Sequence, residues 1–163
     1  MLQVFGLPLH PLVVHAVVVL VPLAVVTGIV VACWPAARRR YGWAVLVLTG
    51  MALVSIPLAT SSGEELEHNI AGSDLIRAHA HLGDQLLVFV AALFATLLAV
   101  LLLDRRRDRL PRWPALLAAV LVVASATVSA VQVVRIGDSG ARAAWSDTRY
   151  VQSASGSEED DDG

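Results

Sequence analysis

A chain of 163 residues that is 56% hydrophobic and only 16% charged is too apolar for an ordinary water-soluble domain and too short for more than one bundle. No nucleic-acid signature, Gly-x-Ser-x-Gly element or phosphate loop is present, so no hydrolase or transferase motif appears. The single cysteine, Cys33, excludes an internal disulfide.

Four apolar segments, at 12–33, 43–60, 82–103 and 114–134, each approach the ~20 residues that cross a ~30 Å hydrocarbon core. The expected fold class is therefore all-α: a four-helix transmembrane bundle over residues 1–150, with helices at about 12–33, 43–60, 75–103 and 114–134, followed by a tail at 151–163. His10-Pro11 opens the first helix, with His10 placed just outside it, and Trp34-Pro35 closes it. Pro22 and Pro57 fall inside the first and second helices, where each removes a backbone donor. The Val30-Val31-Ala32-Cys33 stretch is close to a lipoprotein cleavage box, but no Lys or Arg precedes the first span, so that helix is expected to be retained.

Beyond the second span, Ser61 with Glu64 and Ser62 with Glu65 match overlapping capping boxes and predict a separate short helix over 63–71, ended by Gly72. Asp74 then caps a third helix that starts above the membrane and carries His79 and His81 in its second turn. Small residues at four-residue spacing, Ala91, Ala95 and Ala99 in the third helix and Ala115/Ala119 and Ala126/Ala130 in the fourth, predict packing seams. Residues 135–145, with two glycines, two arginines and a tryptophan, are expected to leave the last helix and lie at the interface, before a disordered acidic tail.

Arginine sets the orientation. Arg38, Arg39, Arg40, Arg105, Arg106, Arg107, Arg109 and Arg112 flank the first and third connections, which predicts both to be cytoplasmic. The other four, Arg77, Arg135, Arg142 and Arg149, lie among twelve of the fourteen acidic residues on segments expected outside, as are both termini. All five histidines then fall on the outer side of a bacterial cytoplasmic (inner) membrane.

His15 lies about a turn and a half into an apolar helix, where a polar ring is costly unless it faces the bundle and finds a partner. His79 and His81 are two positions apart, about 200° around a helix, so one of them faces inward. His79 shares a row with Gly83, which leaves room for a flat ligand or a neighbouring backbone; His81 can pair with Asp84 or Gln85. His68 reads as a solvated connector residue, and the lone Glu65-Leu-Glu-His68 spacing as a solvated face.

The chain resembles the bacterial membrane proteins grouped as domain of unknown function 2231. The resemblance is carried by Gly6-Leu-Pro-Leu-His10-Pro-Leu-Val-Val-His15, by Ser62-Gly-Glu64 with Glu67, by His79-Ala-His-Leu-Gly83-Asp84, and by Arg135-Ile-Gly-Asp-Ser-Gly-Ala141 with Trp145. It implies a fold and no established activity. His10, His15, Glu64, Glu67, His79 and Gly83 match the family's polar pattern, whereas His68 and His81 are additions and Ala16-Val17 replaces an aromatic-proline pair.

A one-sided histidine cluster points to a b-type haem held for membrane electron transfer, with His15 and His79 as axial ligands and Arg77, Arg135 or Arg142 near the propionates. A membrane quinol or a redox protein is the expected partner, alongside lipid; a homo-oligomer is compatible with the sequence. Two alternatives stand beside it: a non-haem Zn or Cu site made by His10, His15, His79 and Glu64, and a structural or accessory subunit without cofactor.

Overall fold

The computed structural model describes residues 3–4, 7–67, 74–106, 111 and 113–145. Two two-residue strands, β1 (Gln3–Val4) and β2 (Leu7–Pro8), pair antiparallel with Gln3 opposite Pro8, and four long helices follow: α1 (Leu9–Cys33), α2 (Pro35–Glu67), α3 (Asp74–Arg105) and α4 (Trp113–Trp145). The fold is an all-α four-helix bundle, and each helix contains a stretch long and apolar enough to span a membrane. His68 and the tail at 151–163 lie outside the described residues.

Helix α1 packs on α2 and α4, and α3 packs on the same two helices from the opposite corner, leaving α1 and α3 diagonal. Successive helices run antiparallel. Along the α2–α3 interface Gly42 meets Leu101, Gly50 meets Phe94, and Thr60 meets Gly83, so one register climbs as the other descends. The core is aliphatic: Leu86, Val90, Leu93, Leu97 and Val100 alternate steps of four and three along α3, the seam of a coiled-coil-like packing, and meet Val21, Ala24, Ile56, Val122 and Ala126. This row, and not the expected Ala91–Ala95–Ala99 row, is the buried face of α3; Ala95 is exposed. Outside, Val19, Val26, Val47, Val54, Val88, Val120 and Val134 are exposed, a shell of branched aliphatics suited to lipid and not to water.

Several boundaries differ from the sequence reading, each for a local reason. Helix α1 begins at Leu9 and takes in His10, because Pro11 in a first turn needs no N–H partner and the helix can start ahead of it. The arginine triplet belongs to the first turns of α2, since one residue, Trp34, separates the helices: its N–H bonds to Val30 O and its carbonyl accepts the Arg38 N–H. No separate helix starts at 63. The Ser61 hydroxyl donates to Pro57 O and that of Ser62 to Ala59 O, so both serines bond back into α2 where capping boxes required them to face forward, and α2 continues to Glu67. Likewise α4 runs through Gly137 and Gly140 to Trp145, because Ile136 packs on the core and Ser139 and Gly140 rest on α3.

At 1.5 Å per residue a helix of 33 residues is about 50 Å long, well beyond a ~30 Å hydrocarbon core. Much of the surplus lies at one end, at the end of α2, the end of α4 and the start of α3, which carries His79 and His81. In lipid the apolar surface is solvated whether helices are apart or together, so the assembly depends on close packing. Leu97, fully buried against Gly28 of α1, is the sharpest test: Leu97→Ala is expected to lower stability by about 2–4 kcal/mol, whereas the lipid-facing Val26→Ala shifts it by less than about 0.5 kcal/mol. Unfolding titrations in mixed micelles measure both.

Candidate functional site at the histidine end of the α3–α4 seam

The α3–α4 interface carries polar contacts at three levels. Deepest is Thr96 Oγ1 to Ser125 Oγ at 3.2 Å. Next, Gln132, only 3% exposed, donates from its amide nitrogen to Leu82 O at 3.0 Å and to Gln85 Oε1 at 3.3 Å, and the Gln85 nitrogen lies 3.0 Å from His81 Nε2. Nearest the helix ends, His79 Nδ1 lies 3.0 Å from Ser139 Oγ. On α4 the three residues, Ser125, Gln132 and Ser139, are seven apart, two helical turns, so they fall on one row.

The directions of these bonds follow from counting donors. Ser139 has one hydroxyl hydrogen and spends it on Ile136 O at 2.9 Å, so its oxygen accepts from His79 Nδ1–H. A neutral His79 thus carries its proton on Nδ1 and its lone pair on Nε2. A backbone carbonyl fixes which end of the Gln132 amide is nitrogen; Gln132 therefore donates to Gln85 Oε1, and Gln85 in turn donates to His81 Nε2. Gly140 is part of the same geometry, since a Cβ there would come within 3.0 Å of His79 Cε1 and 3.3 Å of Nδ1. The glycine lets the imidazole lie against the backbone of α4.

Of the residues singled out from sequence, His79 is the one turned toward a neighbouring helix, half-buried against α4, while His81 is exposed and pairs with Gln85. Gly83 faces α2, its Cβ position 3.7 Å from the Thr60 methyl, so the space beside it accommodates a close helix approach. His15 does not face the bundle. The inward face of α1 is Val21, Ala24, Val25, Gly28, Val31 and Ala32, and His15 falls on the opposite, exposed row with Val19, Pro22 and Val26. The expectation of an inward His15 is corrected to an exposed position, and His15 and His79 stand on diagonal helices.

Glu64 is exposed on α2, and His10 lies in the first turn of α1; among the described residues no three His, Cys, Asp or Glu side chains gather as a metal site requires. Arg77, Arg135 and Arg142 are all exposed, and Arg142 forms a surface ion pair with Asp138 at 2.9 Å, an i,i+4 contact of little energetic weight. The residues that sequence reading missed are Gln132 and Ser139. Gln132 had a signal: a carboxamide flanked by valines in an apolar span is costly unless it finds a partner.

The family described as "Predicted membrane protein (DUF2231)" matches residues 6–153. The chain belongs to that family. In this DUF2231 protein the matched region takes in all four helices and all five histidines, leaving the first five and the last ten residues outside. No curated protein and no solved structure gives a significant match.

The donor count sets a direct test. Nitrogen-15 NMR of imidazole-labelled protein is expected to show neutral His79 as the Nδ1–H tautomer and to lose that preference in Ser139→Ala. An Nε2–H tautomer in the parent protein would mean that Ser139 donates to the ring and that the assigned direction is reversed.

Proposed function

We propose that this DUF2231 protein is a multi-pass protein of a bacterial cytoplasmic membrane whose histidine end faces outward and holds a b-type haem through His79 for membrane electron transfer, with quinol as the donor. The observation that carries the reading is the anchoring of His79: its Nδ1 lies 3.0 Å from Ser139 Oγ, whose own hydrogen goes to Ile136 O, so in the neutral ring the lone pair falls on Nε2, the atom by which an imidazole would hold haem iron. Haem, when bound, supplies a one-electron couple tuned by its axial ligand.

The chain's own residues then divide the work. His79 is the ligand, Ser139 fixes its plane, and Gly140 leaves the ring space beside α4. Arg77 and Arg135, exposed at the same end, supply positive charge for propionates. His15, on the exposed row of α1, does not face His79 among the described residues. Only one axial position is proposed from the protein.

A second reading is favoured by a specific observation. His81 and His79 both take part in the polar row that joins α3 to α4, as the Gln132–Gln85–His81 chain shows, and an accessory subunit without cofactor would need such groups only to align its helices. A reduced-minus-oxidised spectrum of protein isolated from its native membrane separates the two. A haem band is expected in the parent protein, reduced at least tenfold in His79→Ala and retained in His15→Ala and His81→Ala. Absence of the band from the parent leaves the accessory reading, and loss of the band in His15→Ala would show that α1 turns its histidine to the iron.

Orientation has its own test, resting on eight of the twelve arginines. Cysteine labelling is expected to place residues 38–40 in the cytoplasm and residue 142 outside; the reverse pattern would put the histidine end inside.

A further inference from the structure

At the opposite end of the molecule the arginines do more than mark a side. Between α2 and α3 lies a cleft of about 410 Å³ lined by Arg38, Arg39, Trp43, Leu101, Asp104 and Arg105. Three guanidinium groups face one carboxylate there, an excess of two positive charges. Arg38 is the unusual member: it is 9% exposed, its terminal nitrogen donates to Ala32 O at 3.3 Å, and its Nε, 3.6 Å from Asp104 Oδ1, makes no hydrogen bond. A buried charged donor left short of a partner is costly, and Asp104 satisfies it at Coulombic range only. Arg105 is held over the Trp43 ring at 4.5 Å, which fixes a second guanidinium at the rim.

We propose that this cleft binds the phosphate group of an anionic phospholipid, with Arg38 at its floor and Arg39 and Arg105 at its rim. Guanidinium donors match phosphate oxygens in geometry as well as charge. A lipid is favoured over a free phosphate by position. The cleft sits where the spans of α2 and α3 end, beside the exposed interfacial rings of Trp34, Tyr41 and Trp43. Directly below Trp43, exposed Val47, Met51, Val54 and Leu58 continue along one face of α2 as a path for acyl chains. Basic pockets between membrane helices are suited to lipid headgroups. This site is at the other end from His79 and does not depend on the haem reading.

The test is a lipid titration of the full-length protein in detergent, read by native mass spectrometry. Phosphatidylglycerol is expected to bind at least fivefold more tightly than phosphatidylcholine. The double variant Arg39→Gln/Arg105→Gln, which changes only exposed side chains and is expected to fold, should lose that preference. Asp104→Asn should strengthen phosphatidylglycerol binding at least twofold, because it removes the anion that now competes for Arg38. Arg40→Gln/Arg106→Gln, exposed arginines that do not line the cleft, should leave it unchanged. Equal binding of the two lipids, equal losses in the two double variants, or weaker binding in Asp104→Asn would each overturn the proposal. So would full displacement of phosphatidylglycerol by millimolar inorganic phosphate with the same variant dependence, which would identify a free-anion site.

Discussion

A hydrocarbon core offers a polar group no water, so every hydroxyl and amide that enters it must be satisfied by the protein. This constraint organises the molecule. Thr49 donates to Val45 O, Ser55 to Ala52 O and Ser129 to Ser125 O, each within its own helix, so these buried hydroxyls add no demand between helices. Groups that bond across helices are concentrated where α3 meets α4. There the Gln132 amide reaches a backbone carbonyl and a second glutamine, and the antiparallel register of the two helices is fixed by contacts that tolerate no slippage. Aliphatic rows elsewhere supply packing but little directional preference, since one valine fits against another in more than one register.

The same constraint explains why the candidate site lies at the helix ends. A histidine at mid-membrane would need a partner as strict as that of Gln132, whereas His79 and His81 stand at the very start of the apolar span of α3, where interfacial water can share the load. Ser139 and Gly140 complete the His79 environment only because α4 continues upward past its own apolar stretch.

The spans and the number of helices were legible in sequence because they rest on unbroken apolar runs. Boundaries were less so. Ser61 and Ser62 suit either a forward cap or a backward bond, and only the continued course of α2 decides. Gly137 and Gly140 carry breaker propensity, each worth about 1 kcal/mol against helix, and packing on α3 overrides it. The facing of His15 was hidden for a different reason: α1 is apolar on every side, so no polar stripe marks its outward face, and the assumption that a polar ring must turn inward had nothing to oppose it. The cleft at Arg38 is not legible in sequence, because an arginine run carries the same topological signal in a loop as on a helix, where Arg38, Arg39 and Arg40 stand.

The surplus helical length gives the protein a shape with two unlike sides. On the arginine side α1 passes into α2 through Trp34 alone, so that connection adds no height of its own. On the other side three helix ends rise on the order of 10 Å or more past the apolar zone, by their extra turns at 1.5 Å per residue. Any solute approaching from that side meets these helix ends before it meets lipid. Contact with the His79 region therefore requires no penetration of the bilayer.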